Sequence, residues 1–149
     1  MLALTGDSLF KLYALCSAVL SLQMLLLAAM TAAKRAGAKN HLNPEDVKVS
    51  FKGTSLVEGP EHPRVARVQR AHRNLLESLP IFFALGLICV LAGVSPRGAE
   101  ICFLIFTVAR VLHSVVYLNE LQPWRTMLYA ISALALLGMV VLIVLAILA

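Results

Sequence analysis

The chain has 149 residues, 60% of them hydrophobic, with a mean hydropathy of +0.84 and a formal net charge of +5. Soluble domains average about 45–50% apolar residues, and a chain this short has no soluble core that would bury the excess, which excludes an ordinary soluble domain. The apolar runs are continuous rather than alternating, which excludes a transmembrane barrel and leaves helices.

A bilayer-spanning helix needs roughly 20 predominantly apolar residues, and four segments meet that length. The first covers residues 12–33. Its apolar run exceeds the roughly 7–15 residues of a signal-peptide centre, and Asp7 with Lys11 makes a poor basic leader, so it reads as a span. Gln23, midway along it, is expected to hydrogen-bond to a neighbouring helix. Neither a lipidation motif nor a C-terminal retention signal is visible.

Residues 34–73 form the one long connection and hold nine of the thirteen basic residues: Lys34, Arg35, Lys39, Lys48, Lys52, Arg64, Arg67, Arg70 and Arg73. Basic loops stay cytoplasmic, which predicts a cytoplasmic 34–73 loop and, with four spans, both termini on the opposite side. Glu45, Asp46, Glu58 and Glu61 interrupt the basic run and no nucleic-acid motif accompanies it, so nucleic acid is not an expected partner. Within the loop, "NPED" (residues 43–46) reads as a turn into a short helix, with Asn43 capping and Pro44 following it. "EGPEHPR" (residues 58–64) reads as a break before the second membrane helix.

The second span covers residues 75–94, and "GVSPRG" (residues 93–98) turns the chain into the third, residues 101–118. "NELQPW" (residues 119–124) leads into the fourth, residues 127–149, which carries no charge. The expected fold is therefore all-α: a single integral membrane domain, a four-helix up-and-down bundle with four transmembrane helices. Span length does not distinguish a bacterial inner membrane from the endoplasmic reticulum. Tyr117, Trp124 and Tyr129 fall near the expected interfaces, where amphipathic rings are favoured. Cys16, Cys89 and Cys102 all fall inside spans without a CxxC pair, and read as small apolar residues.

The chemistry concentrates in "RVQRAHRNLLESLP" (residues 67–80). Arg70, Asn74 and Glu77 recur at i, i+4 and i+7, flanked by Arg73, which places them along one helical face. They extend about 10 Å along the axis, from the interface into the hydrocarbon. Arg110, His113 and Tyr117 repeat such a stripe in the third span. An arginine at a helix centre costs roughly 2.5–3.5 kcal/mol, so such a residue faces the bundle interior or a wet cavity and suggests a functional site. Structural alternatives stand beside this reading. Arg67, Arg70 and Arg73 also suit interfacial anchors, Glu77 is spaced to pair with Arg73, and His113 is placed to bond between helices. Glu77 is the one acid clearly inside a span, so the arginines outnumber their counter-charges and suit an anion receptor. The inferred ligand is small, with more than one carboxylate and an amine that Glu77 would take. A metal fits badly, because one Glu and one His fall short of three or four ligands.

"NPED", "RVQRAHRNLLESLP", "ARVLHSVVYL" and "PWRT", in this order, resemble the MAPEG family, the membrane-associated proteins of eicosanoid and glutathione metabolism. "RAHRN" is closest in pattern to the microsomal glutathione transferase and microsomal prostaglandin E synthase branch. The resemblance implies a homotrimer of four-helix subunits binding glutathione between neighbours near the cytoplasmic side. It implies that Arg35, Arg70, His72, Arg73, Asn74 and Glu77 contact glutathione, with Arg110, His113 and Tyr117 lining the same site. It implies that Arg125 stabilises the thiolate, that Thr126 stands where a serine hydroxyl lies near the sulfur, and that Asp46 matches an acid assisting isomerisation. Departures are a link before Arg125 one residue shorter than in the prostaglandin synthases, threonine for serine at Thr126, and Gln23 in place of a frequent lysine.

The function this implies is a glutathione-dependent membrane transferase. It would conjugate the thiolate to lipophilic electrophiles arriving from the bilayer lipids, with peroxidase activity towards lipid hydroperoxides as a companion. The alternatives are a prostaglandin-E-synthase-like endoperoxide isomerase and a non-enzymatic MAPEG-like membrane scaffold; the complete arginine set favours catalysis.

Overall fold

A computed structural model describes residues 8–41, 43–49, 55–56 and 61–149. Asp7, Lys52 and Glu58, and with Glu58 the first part of the expected break before the second membrane helix, lie outside the described residues. Four long helices dominate: α1 (Ser8–Ala38), α3 (Pro63–Leu91), α4 (Pro96–Leu118) and α5 (Trp124–Leu148). The short α2 (Pro44–Val49) lies between α1 and α3. Flanking it, β1 (Asn40–His41) pairs in parallel with β2 (Ser55–Leu56), Asn40 opposite Ser55 and His41 opposite Leu56.

All four long helices are long and apolar enough to cross a membrane. The shortest, α4 with 23 residues, rises about 35 Å against a hydrocarbon layer of about 30 Å. Burial is inverted relative to a soluble bundle. Leu15, Leu25, Leu134, Leu145 and Leu148 face outward, whereas Ser78, Thr107, Arg110, His113, Ser114 and Ser132 are buried. In lipid no water satisfies an outward polar group, so polar side chains gain by turning to the bundle interior.

Helix α1 packs on α3 and α4, α5 packs chiefly on α4, and α3 touches all three other long helices. The centre of this packing is aromatic. Phe82 of α3 stacks on Phe106 of α4 with centroids 4.6 Å apart and planes 4° from parallel, and Phe103 meets Phe82 edge-on at 5.8 Å. Tyr13 of α1 lies 5.8 Å from Phe103 and donates its hydroxyl to the Phe83 carbonyl at 2.9 Å. Gly86 makes this approach possible: a Cβ there would stand 2.6 Å from Tyr13 Cε2. Two buried hydroxyls are satisfied within their own helices, Ser78 to Leu75 O at 2.9 Å and Ser132 to Tyr129 O at 2.8 Å.

The helices extend beyond the expected spans at their N-terminal ends. Helix α3 begins at Pro63, well before residue 75, because polar residues mark shallow depth in the bilayer without ending a helix. Pro63 occupies the first helical turn, and the His62 ring nitrogen Nδ1 accepts from Arg64 N at 3.3 Å. Pro80 sits inside α3 without terminating it. At the other end of α4, Leu121 N donates to Val116 O at 3.1 Å and Glu120 N to Tyr117 O at 3.4 Å. That is the Schellman pattern, and Glu120 takes its left-handed position with φ 65°. The Arg67 guanidinium of α3 holds the Glu120 carboxylate at 2.9 Å.

Candidate functional site

The α4–α5 turn sets the position of Arg125. Leu121 O accepts from Arg125 N at 3.3 Å and Pro123 O from Thr126 N at 3.0 Å, which starts α5 with both side chains in its first turn. A cavity of about 270 Å³ opens at this end of α5, lined by Asn74 of α3, His113 and Tyr117 of α4, and Arg125, Thr126 and Tyr129 of α5. The positive end of the α5 dipole and the Arg125 guanidinium therefore meet the same space, which suits an anion.

Two arginines are fixed around that cavity. Arg125 lies over the Tyr117 ring, Cζ 4.9 Å from its centroid. Gln122 clamps its edge: with the amide oxygen turned to the guanidinium, it accepts from Nε at 3.1 Å and Nη2 at 2.6 Å, and the amide nitrogen reaches Thr126 Oγ1 at 3.3 Å. Arg110 sits behind the cavity, 3% exposed, and donates from Nη1 to Asn74 Oδ1 at 2.8 Å. Its guanidinium lies 5.3 Å from the Tyr129 centroid and 5.6 Å from that of Phe106. His113, also 3% exposed, contacts the Tyr117 and Tyr129 rings at 5.7 and 6.4 Å. Gln23 of α1 buttresses Arg110, donating from Nε2 to the Arg110 carbonyl at 2.9 Å and to Ser114 Oγ at 2.6 Å. Arg110 Nε and Gln23 Oε1 are buried without a hydrogen-bond partner among the described residues.

Of the residues singled out in the sequence, Asn74, His113, Tyr117, Arg125 and Thr126 converge on the cavity, and Arg110 anchors its wall. Arg70, Arg73 and Glu77 lie on the exposed side of α3, opposite its buried residues. No Arg73–Glu77 ion pair forms among the described residues. His72 is half-buried, off the cavity lining. Arg35 is committed elsewhere, Nε to Glu61 Oε1 at 2.6 Å. Asp46 is exposed on α2, where Asn43 Nδ2 donates to its Oδ2 at 3.2 Å. Gln23 does bond between helices, as its place in the first span predicts.

Two residues of the site carry no charge to mark them in the sequence, Tyr129 and Gln122. Tyr129 suits a membrane interface by its ring, but its spacing of i+4 from Arg125 puts it on the same face of α5, against Arg110. Gln122 is uncharged and sits in a turn, and only its position three residues before Arg125 hints at the contact.

A family model for the MAPEG family matches residues 13–145. The chain belongs to the MAPEG family. It is 33% identical over 144 residues to "Prostaglandin E synthase" of Bos taurus, covering 96% of this chain and 92% of that one. It is 35% identical over 127 residues to "Prostaglandin E synthase" of Homo sapiens, covering 82% and 79%. It is 34% identical over 128 residues to "Microsomal glutathione S-transferase 1" of Homo sapiens, covering 85% and 83%. As a MAPEG member with four membrane-crossing helices it is a multi-pass integral membrane protein.

Proposed function

We propose that this MAPEG protein is a glutathione-dependent membrane transferase that conjugates the thiolate to lipophilic electrophiles and also reduces lipid hydroperoxides. The observation that carries the reading is the cavity in which Arg125, the α5 N-terminus and Thr126 share one space with His113, Tyr117 and Asn74. The donor chemistry fits glutathione: the lining offers a guanidinium, hydroxyls and an amide, and no carboxylate to repel an acidic tripeptide. Similarity to a microsomal glutathione S-transferase supports the same assignment.

Glutathione, when bound, supplies the sulfur nucleophile. Arg125 is positioned to hold that sulfur in the charged state, since a nearby cation lowers a thiol pKa. Tyr117 and Gln122 restrain the guanidinium from its face and its edge, so little reorganisation is needed when charge develops. Thr126 offers a hydroxyl proton beside it. Arg110 holds Asn74 at the wall and keeps it turned to the cavity. The cavity is walled by three of the membrane-crossing helices, and in this reading electrophiles dissolved in lipid reach it laterally. Arg70, Arg73 and Glu77 face outward on α3, off the cavity lining, and Arg35 is paired with Glu61, so this reading includes a homotrimer in which a neighbouring copy brings those groups to the tripeptide.

A second reading is isomerisation of a prostaglandin endoperoxide, with glutathione recycled. Similarity to prostaglandin E synthases and the Thr126 hydroxyl in the cavity favour it, and Asp46 would assist the proton movements. The test is a panel assay of detergent-solubilised protein with glutathione against a chlorinated aromatic, a lipid hydroperoxide and a prostaglandin endoperoxide. Conjugation of the aromatic and reduction of the hydroperoxide support the transferase; turnover of the endoperoxide alone overturns it in favour of the isomerase.

A further inference from the structure

A row of three cavities runs along the side of the bundle formed by α1, α3 and α4. The one nearest the middle of the helices is an apolar groove of about 330 Å³ between α1 and α4, walled by residues such as Leu22, Leu26, Val111 and Val115. It ends at Met30 and Leu118, which also line the next cavity, of about 280 Å³. There the lining turns basic: Lys34, Arg64 and Arg67, with Glu120 the one acid among the described residues. Lys34 and Arg64 in turn line a third cavity of about 340 Å³ with His62 and Gly37, at the loop end of α1.

Charge is unbalanced along this row. Glu120 is already held by Arg67 at 2.9 Å, and Arg35 and Glu61 neutralise each other at 2.6 Å. Lys34 and Arg64 form no ion pair among the described residues. Among the described residues the surface therefore offers two cations outside ion pairs at the end of an apolar trough, close to the C-terminal end of α1 and the N-terminal end of α3. None of the residues named here lines the Arg125 cavity.

We propose that this surface is a binding site for an anionic phospholipid. An acyl chain lies in the α1–α4 groove, and the phosphate and its negatively charged headgroup sit between Lys34 and Arg64. The geometry is that of an amphiphile: apolar wall below, cations above, continuous through Met30 and Leu118. Zwitterionic phospholipids fit the groove equally well and gain less from the cations. Basic pockets between membrane helices select anionic headgroups on this principle.

Native mass spectrometry of the full chain, released from neutral detergent carrying equal amounts of phosphatidylglycerol and phosphatidylcholine, tests the site. Each cation is expected to contribute about fivefold preference. The wild-type chain should retain phosphatidylglycerol preferentially, Lys34→Gln/Arg64→Gln should lose that preference, and Lys34→Arg should keep it. Both positions are exposed, so the substitutions leave the fold intact. Excess glycerol phosphate should not displace the lipid, because it has no chain for the groove. Equal retention of the two lipids by the wild type, a preference that survives in the double variant, or displacement by glycerol phosphate would each overturn the proposal.

Discussion

Arg110 of α4 donates to Asn74 of α3 at 2.8 Å, and this bond joins the two polar stripes that the sequence displays separately. Arg110 is 3% exposed and faces inward, so its charge is shielded from lipid. Its aromatic neighbours, Phe106 and Tyr129, cover the guanidinium. Replacing Arg110 by Met keeps much of the volume and removes the bond. Interhelical hydrogen bonds in membranes average well below 2 kcal/mol, so a stability loss of about 1 kcal/mol in a detergent unfolding titration is expected. Glutathione affinity should fall as well, because Asn74 is no longer held to the cavity wall.

Gln23 makes a simpler structural test. It donates to the Arg110 carbonyl and to Ser114 Oγ, while its own oxygen is unpartnered. Gln23→Leu removes both bonds and should lower stability by about 1 kcal/mol, read from the same unfolding titration.

Gly86 admits no side chain. A Cβ would meet Tyr13 ring atoms at 2.6 and 2.8 Å, so Gly86→Ala must push the ring away and break its bond to the Phe83 carbonyl. Overpacking of this kind costs typically 1–3 kcal/mol. A thermal melt in detergent should show that loss, with Tyr13→Phe/Gly86→Ala less than additive, because both substitutions remove the same hydrogen bond.

Glu120 combines a left-handed backbone, φ 65°, with an exposed ion pair to Arg67. The backbone strain is worth about 1 kcal/mol, and an exposed pair contributes below about 1 kcal/mol. Glu120→Gly is therefore expected to melt at or above the wild type, and Glu120→Ala, which keeps the strain and loses the pair, below it.

Gln122 is expected to act through Arg125. Gln122→Ala frees the guanidinium edge, and misplacement of a catalytic group costs up to about 100-fold in rate. Turnover should fall with little change in KM for glutathione, because Gln122 does not line the cavity. Gln122→Glu keeps the geometry but pairs Arg125 with a carboxylate, so the bound thiol should ionise at higher pH than in the wild type.

The four helices were legible because each carries an apolar run near 20 residues. The apolar run alone marks only part of α3: Arg70, Arg73 and Glu77, ahead of or at the start of that run, already belong to the helix and lie on its exposed side. Pro63 in the first turn was the true signal of the start. The site was half legible. Arg110 and His113 stand out because a charged or polar side chain in an apolar span needs a reason, and the structure turns both inward. The face shared by Arg70, Asn74 and Glu77 was less informative, since helical spacing groups residues within about a quarter turn and cannot say which of them meets a neighbour. Asn74 bonds Arg110 directly, and Glu77 acts on the same guanidinium through its charge. Tyr129 and Gln122 carry no charge and act by touching arginines from another position in the chain, so periodicity alone does not mark them.

Ultraviolet difference absorbance of bound glutathione across a pH titration, with binding checked in parallel by calorimetry, measures the thiolate directly. A free thiol ionises near pH 8.5; the wild-type protein should show thiolate well below that pH, because a cation beside the sulfur stabilises the charged form. Arg125→Met should still bind the tripeptide and show thiolate only at the higher pH of the free thiol. Identical titrations for the two proteins would contradict the role given to Arg125.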